Sequence, residues 1–360
     1  MGWHLIKGII GYQMNQAGAC MQSEIITATK GSVSTGNGGP IIPAIIAQAG
    51  DHAARRFIEF FTATIRNKNT RRAYAKAVGD FLAWCEGHRL TLPGIEPVHV
   101  AAYIEQLTQA KAAPTVKQHL AAIGMLFDWL TSGGVIDFNP AASVRGPKHV
   151  VKRGKTPVLT AGEARQLLDS IAVYEIDAET KQPDPARPIL IGLRDRALIA
   201  IMAYSFARIG AALGMKVEDY YTEGRKAWLR LYEKGGKRHE VPAHHNAADY
   251  VDAYLEAASI ATERKRPLFR SIDRSGRLTA RPIDPRNALD MIKRRAKAVG
   301  LPPTICCHTF RATGITVYLE GGGTIEKAQQ IANHESPKTT KLYDRTSDQI
   351  TLDEVERIVI

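Results

Sequence analysis

No apolar run in this chain approaches the roughly 20 residues that a membrane-spanning helix needs. A short apolar stretch opens "MGWHLIKGIIGYQMNQAGAC", but Lys7 interrupts it. "AGAC" before Met21 only faintly resembles a lipoprotein cleavage site, since no adequate hydrophobic region precedes it, so no export signal is expected. Cysteine is scarce. Cys20, Cys85, Cys306 and Cys307 show neither C-x-x-C nor a zinc spacing, and the adjacent pair is badly placed to bridge to itself. That excludes a disulfide scaffold and a structural zinc site, and points to a reduced cytoplasmic protein. Acidic residues are also short: 36 Asp and Glu face 48 Lys and Arg, a net charge of +12. Such a balance favours an acidic partner, most commonly nucleic acid, over the competing reading of general solubility. The distribution supports the partner. Residues 264–297 hold twelve Lys and Arg against three acids, a concentrated field suited to phosphates.

At 360 residues the chain is long enough for two domains, each with its own core. Residues 1–50 are rich in Gly, Ser, Thr and small apolar residues without a sustained period, so little order is expected before about residue 51; Met14 and Met21 are alternative starts. From 53 to 145 the pattern is helical. Tyr74, Val78, Phe81, Leu82 and Cys85 share one face, as do Val116, Leu120, Ile123, Phe127 and Leu130. Pro93, Pro97 and Pro114 separate helices and "TSGG" stops the last long one, which gives a bundle of four or five helices over 51–145. "RGPKHVVKRGKTP" is polar, basic and proline-flanked, so 146–157 is expected to be an interdomain linker. Thr160 and Glu163 form a capping box at the start of a second domain, 158–350. There "ALIAIMAYSFA" is a buried segment, "AWLRLYEKGGKRHEVPA" a hairpin turning at Gly235-Gly236, and helices dominate to the end. The expected fold is mainly α with a small antiparallel β-sheet.

Chemistry is suggested first by "IANHESPKTTKLYDR", in which His334 lies nine residues before Tyr343. On one helix that spacing turns the two side chains to opposite faces. Ser336-Pro337 breaks the helix, Ser336 capping a new one with Pro337 in its first position, so that both side chains can reach one spot, Tyr343 being carried along the new helix. His308 and Arg311 in "HTFR" share a helix face. With Arg208 and the Lys234/Lys237 hairpin these are the parts for cutting a phosphodiester without a metal. Guanidinium groups clamp the non-bridging oxygens, a phenol is a possible nucleophile, and a lysine can protonate the departing oxygen. Arg194 and Arg196 rival Arg208, Lys237 rivals Lys234, and Tyr318 rivals Tyr343. Cys306 and Cys307 are read as small buried residues.

The order Arg208, Lys234, His308-x-x-Arg311, His334, Tyr343 resembles the tyrosine recombinases of the phage integrase family, over roughly residues 53–350. "NTRRAYAKAVGDFLAWCEGHRL" and "NPAASVRGPK" resemble the helical, SAM-like core-binding domain and its exit. "RDRALIAIMAYSFARIGAALGMKVED" and "EKGGKRHEVP" resemble the first-arginine segment and the lysine hairpin of a mixed α/β catalytic domain. The resemblance implies a site-specific DNA recombinase, acting in integration, excision or resolution of a mobile element. Tyr343 would form a 3′-phosphotyrosine, Arg208 and Arg311 hold the phosphate, Lys234 act as general acid, His308 assist proton transfer and His334 bond the phosphate. Neither ATP nor a metal cofactor would be required. Four departures stand out. Phe206 lies where the family has glycine before the arginine, Ala211 lies at the position of an acid, and Asn333 replaces a glycine before the second histidine; Ala312 also replaces a frequent histidine. The carboxylate that orients Arg208 is therefore missing or supplied elsewhere. Duplex DNA would be clamped between the two domains, with Arg71, Arg72, Lys117, Lys152, Arg153, Lys237, Arg281, Arg286 and Arg294 as candidate contacts. Leu352, Val355 and Ile358 in the 351–360 tail would pack on a neighbour in a homotetramer on DNA. The competing functions are a DNA-binding protein of this fold that no longer cleaves, and a relaxing enzyme of type IB topoisomerase character.

Overall fold

Prolines, glycines and polar caps set the helices of the first part of the chain. In the computed structural model, which describes residues 42–149, 154–233 and 235–344, the chain forms two compact units, Met1–Val150 and Val151–Ile360. The first contains α1 (Ala44–Gln48), α2 (Asp51–Glu59), α3 (Lys68–Gly87), α4 (Pro97–Ala110) and α5 (Ala113–Ser132). Asn67 caps α3, its side chain accepting from the amides of Asn69 and Thr70 at 2.9 and 3.1 Å. Pro97 opens α4, and Gly133 with the left-handed Gly134 ends α5. The expected stripes face the core: Val78, Phe81, Leu82, Cys85, Val116, Ile123, Phe127 and Leu130 are buried, with Tyr74 and Leu120 packed beside them.

Order begins earlier than the sequence suggested. Helix α1 precedes residue 51 and puts Ile45 and Ile46 into the core. A five-residue helix is not stable alone. Here two buried isoleucines contribute roughly 1.5–3 kcal/mol each, and the Ile45 amide donates to Glu86 Oε1 at 3.0 Å. Residues 1–41 lie outside the described residues.

The second unit runs α6 (Ala161–Asp169), β1 (Tyr174–Ile176), β2 (Pro183–Pro188), α7 (Leu190–Tyr204), α8 (Ile209–Leu213), β3 (Tyr220–Glu223), β4 (Lys226–Tyr232), β5 (Arg238–Pro242), α9 (His245–Ala258), β6 (Arg270–Ile272), β7 (Leu278–Pro282), α10 (Pro285–Ala298), α11 (Cys307–Glu320), α12 (Ile325–Ala332) and α13 (Pro337–Lys341). The Thr160–Glu163 capping box is present. The expected hairpin is β4–β5, antiparallel from Trp228↔Pro242 to Tyr232↔Arg238, and β3 extends it to three strands. Two further antiparallel hairpins, β1–β2 and β6–β7, were not expected. The second lies inside the basic stretch where helices were anticipated. Asp273 Oδ1 accepts from the amides of Ser275 and Arg277, and Gly276 takes the left-handed conformation the turn needs.

Helix α7 is apolar nearly all round and runs through the main core, among Leu229, Leu231, Val251, Tyr254, Phe269, Met291 and Phe310. A smaller cluster gathers Phe206, Ile315, Leu319, Ala328 and Ala332, with Tyr318 and Tyr343 packed against it. Among the described residues no helix is long and apolar enough to cross a membrane.

Candidate active site

Arg208 is the N-cap of α8, just after the chain leaves α7. Two residues earlier Phe206 adopts φ 54°, a left-handed conformation that a bulky residue rarely takes. The turn aims the Phe206 carbonyl at Arg311, whose Nη1 donates to it. Arg311 Nη2 donates to the carbonyl of Ala332 at 2.6 Å. That carbonyl is also turned at a left-handed residue, Asn333 at φ 47°, the C-cap of α12. Helix α11 approaches α7 so closely that a Cβ on Gly314 would lie 2.0 Å from the Ala203 oxygen and 2.8 Å from the Phe206 ring. Glycine at 314 thus lets the guanidinium of Arg311 reach the turn before Arg208. Only 1 % of Arg311 is exposed.

The carboxylate expected near Arg208 comes from Glu233, at the end of β4. Its Oε2 accepts from Arg208 Nη1, and its Oε1 lies 4.0 Å from Arg311 Nη1. Glu233 is buried, whereas the Arg208 side chain keeps 31 % of its surface. Burial and the neighbouring Arg208 charge bring Arg311 down to about 10, while Glu233 and the hydrogen-bonded Tyr343 phenol oppose the shift.

Both histidines face these cations. His334 is buried, and its Nδ1 lies 2.9 Å from Thr340 Oγ1. Desolvation, with Arg311 and Arg208 adding, pushes it down to about 3, so its ring is neutral at neutral pH. His308 is exposed, yet the surrounding protein removes part of its water, and with Arg311 and Arg208 lowers its pKa. The rings of His334 and Tyr343 stack, 5.7 Å apart and 8° from parallel. The Ser336 cap and Pro337 are where expected, the hydroxyl accepting from the Lys338 amide at 3.3 Å. Helix α13 is shorter than expected, however, and Tyr343 lies in the turn after it. Two contacts hold the chain just beyond the helix: Gly154 N donates to the Leu342 carbonyl at 3.0 Å and Thr316 Oγ1 to the Tyr343 carbonyl at 2.8 Å.

The first-unit pattern described as the phage integrase N-terminal SAM-like domain matches residues 54–135, and that of the phage integrase family matches residues 163–349. The chain belongs to the phage integrase family of tyrosine recombinases. This integrase is 24 % identical to tyrosine recombinase XerD of Lacticaseibacillus casei, over 78 % of its own chain and 89 % of that protein. It is 28 % identical to tyrosine recombinase XerC of Mycobacterium sp. (strain KMS), over 77 % and 88 %. In fold it is similar to XerH site-specific recombinase bound to palindromic difH substrate, at TM-score 0.61 and 19 % identity over 80 % of this chain and 79 % of that one. It is also similar to a lambda integrase dimer bound to a COC′ core site, at TM-score 0.57 and 17 % identity over 83 % and 98 %.

In this integrase the described residues bring Arg208, His308, Arg311, His334 and Tyr343 to one spot. Lys234 lies outside the described residues, next to Glu233. Lys237 is exposed and donates to Glu335 Oε1 at 2.7 Å, beside the His334 loop. The rivals fall elsewhere. Arg194 is spent on Asp195 and on the Arg270 carbonyl, Arg196 lies over the Tyr250 ring, and Tyr318 packs edge-on against Phe206. Cys306 and Cys307 are half-buried rather than buried, and burial pushes the Cys307 thiol up to about 11. Among the candidate DNA contacts, Arg71 is spent on the Ile65 carbonyl at 3.0 and 2.8 Å and is a helix-start brace. Arg72, Lys117, Arg281, Arg286 and Arg294 are exposed. Lys152, Arg153, Leu352, Val355 and Ile358 lie outside the described residues. No group of three or more His, Cys, Asp or Glu among the described residues could hold a metal.

Proposed function

We propose that this integrase is a site-specific recombinase of duplex DNA in which Tyr343 is the nucleophile. The observation that carries the reading is the convergence of Arg208, Arg311, His308 and His334 on Tyr343. The phenol oxygen attacks the scissile phosphorus and loses its proton. The bond from phosphorus to the 5′-oxygen breaks, and that oxygen leaves as a hydroxyl, protonated by Lys234. The 3′-phosphotyrosine keeps the energy of the broken ester, so a 5′-hydroxyl from a second duplex reverses the step without ATP. Arg208 and Arg311 neutralise the charge that builds on the non-bridging oxygens. Neutral His334 donates to one of them, and His308 relays a proton. Arg72, Lys117, Lys152, Arg153, Lys237, Arg281, Arg286 and Arg294 contact phosphates, which sets register and not sequence. Two duplexes carry four strands and one tyrosine cuts one strand, so a homotetramer on DNA, held by the 351–360 tails, completes the reaction. The enzyme works on the nucleoid, in the cytoplasm.

Covalent capture tests this. A library of nicked suicide duplexes with randomised half-sites is incubated with the protein, and DNA that stays attached after denaturation is sequenced. Wild type should enrich a defined site, and Tyr343→Phe should capture nothing. Capture with no enriched sequence, together with relaxation of any supercoiled plasmid, would mean a topoisomerase. Binding without capture would mean a protein that no longer cleaves.

A further inference from the structure

We propose that Glu233 is a positioning residue of this active site, setting both phosphate-binding guanidinium groups from the β4–β5 turn. The inference deepens the reading of Tyr343 as nucleophile and rests on it. One helical turn after Arg208 the chain has Ala211, buried and without a carboxylate, so α8 itself orients nothing. Glu233 occupies that role from the other side of the site. Its side chain is 3 % exposed, and its two oxygens meet two different arginines, Oε2 at Arg208 and Oε1 at Arg311. A carboxylate this buried survives only where cations offset its lost hydration. Here the cations are the two groups that must be held a fixed distance apart to clamp one phosphate.

The mount is rigid. The Glu233 amide donates to the Lys237 carbonyl at 2.9 Å, and the Gly236 amide to the Glu233 carbonyl at 2.9 Å, which closes the turn. His239 on β5 bonds the Ile331 carbonyl at 3.0 Å, and Lys237 bonds Glu335. The hairpin is thereby tied to α12 and to the loop carrying His334. Glu233 does not touch the reacting atoms in this arrangement. It acts through Arg208, whose remaining surface is open, and through Arg311, which touches Tyr343. The opposite role for the same geometry is a plug, a carboxylate sitting where the phosphate binds. The two differ in the sign of one rate.

The test uses full-length protein and the duplex that covalent capture enriches with wild type. Binding affinity, melting temperature and the single-turnover rate of covalent adduct formation are measured for wild type, Glu233→Gln and Glu233→Asp. A misplacement of about 1 Å in a catalytic group costs about 100-fold. Glu233→Gln is therefore expected to slow adduct formation by the folded protein about 10- to 100-fold at unchanged DNA affinity, with a lowered melting temperature and with Glu233→Asp between it and wild type in rate. A rate equal to wild type overturns the proposal, and a faster one replaces it with the plug. A slower rate matched by an equal loss of DNA affinity also overturns it, as does an aspartate variant no better than glutamine. If wild type itself forms no adduct, the nucleophile reading has failed instead.

Discussion

Asp195 and Glu233 are both buried carboxylates set among arginines of the same unit, and they differ in the company those arginines keep. Asp195 accepts from Arg194 at 3.1 and 2.7 Å and from Arg295 at 3.2 and 2.8 Å. Arg194 spends a further donor on the Arg270 carbonyl. Its side chain is 5 % exposed, and the cluster sits where α7, α10 and β6 meet. Around Glu233 one arginine is partly spent: Arg311 bonds two carbonyls and also meets the Tyr343 phenol. The other, Arg208, donates to Glu233 and keeps 31 % of its side-chain surface. Burial of a charged pair therefore does not separate a structural cluster from a working one. The presence of Tyr343 and two histidines beside the guanidinium groups does.

The comparison breaks most visibly at Asp195. Asp195→Ala leaves two arginines without their carboxylate and is expected to cost about 3–5 kcal/mol, read from a urea midpoint. The folded fraction should cleave DNA at the wild-type rate. A small stability loss with slow cleavage would put both clusters in the same class. Next is Phe206→Gly. Truncating a buried Phe costs about 3–5 kcal/mol, and relief of the left-handed backbone returns about 1–2 kcal/mol. The net expectation is a loss of about 2 kcal/mol by denaturation; a stabilised variant would mean that the strain outweighs the packing.

Acid should loosen the Glu233 side of the unit. His334 and His308 have folded pKa values below their ordinary 6.5, so the unfolded chain takes up protons first as pH falls. Their contribution to stability is complete above about 6.5 and is lost toward about 3, the value of His334. The melting temperature should fall between about pH 7 and about pH 5, and His334→Asn should flatten that decline. His119 and His244, also lowered, keep part of the slope in the variant. An unchanged slope would remove His334 from the account. The smallest effect is expected at Lys237→Ala. Its pair with Glu335 is 60 % and 83 % exposed, and such a bridge contributes about 0–1 kcal/mol. A larger loss of stability would show that the hairpin depends on it to stay against the His334 loop.

What could be read in the sequence was what local spacing controls. The faces of α3 and α5, the Thr160 and Ser336 caps, the β4–β5 hairpin and the break between His334 and Tyr343 depend on neighbours within a few residues. The chain carries these rules wherever it folds. The order of Arg208, His308, Arg311, His334 and Tyr343 was legible through its resemblance to the tyrosine recombinases. Helix α1 was not, because five residues are ordered only by the core they enter. Nor was the placement of Tyr343 in the turn after α13, where Gly154 and Thr316 hold the chain from far away in sequence. Phe206 and Asn333 were visible as departures, but not that Arg311 binds the carbonyl of Phe206 and that of Ala332, just before Asn333. Glu233 had one faint signal, an acid beside Lys234 in a chain lacking one at 211. Its partners lie 25 and 78 residues away, and which carboxylate meets which guanidinium follows from the register of a hairpin against two helices. Sequence by itself determined the chemical groups and the local elements that carry them. Only the tertiary structure decided which donors are spent on the protein and which are left for a phosphate, because that depends on packing between elements that no spacing along the chain records.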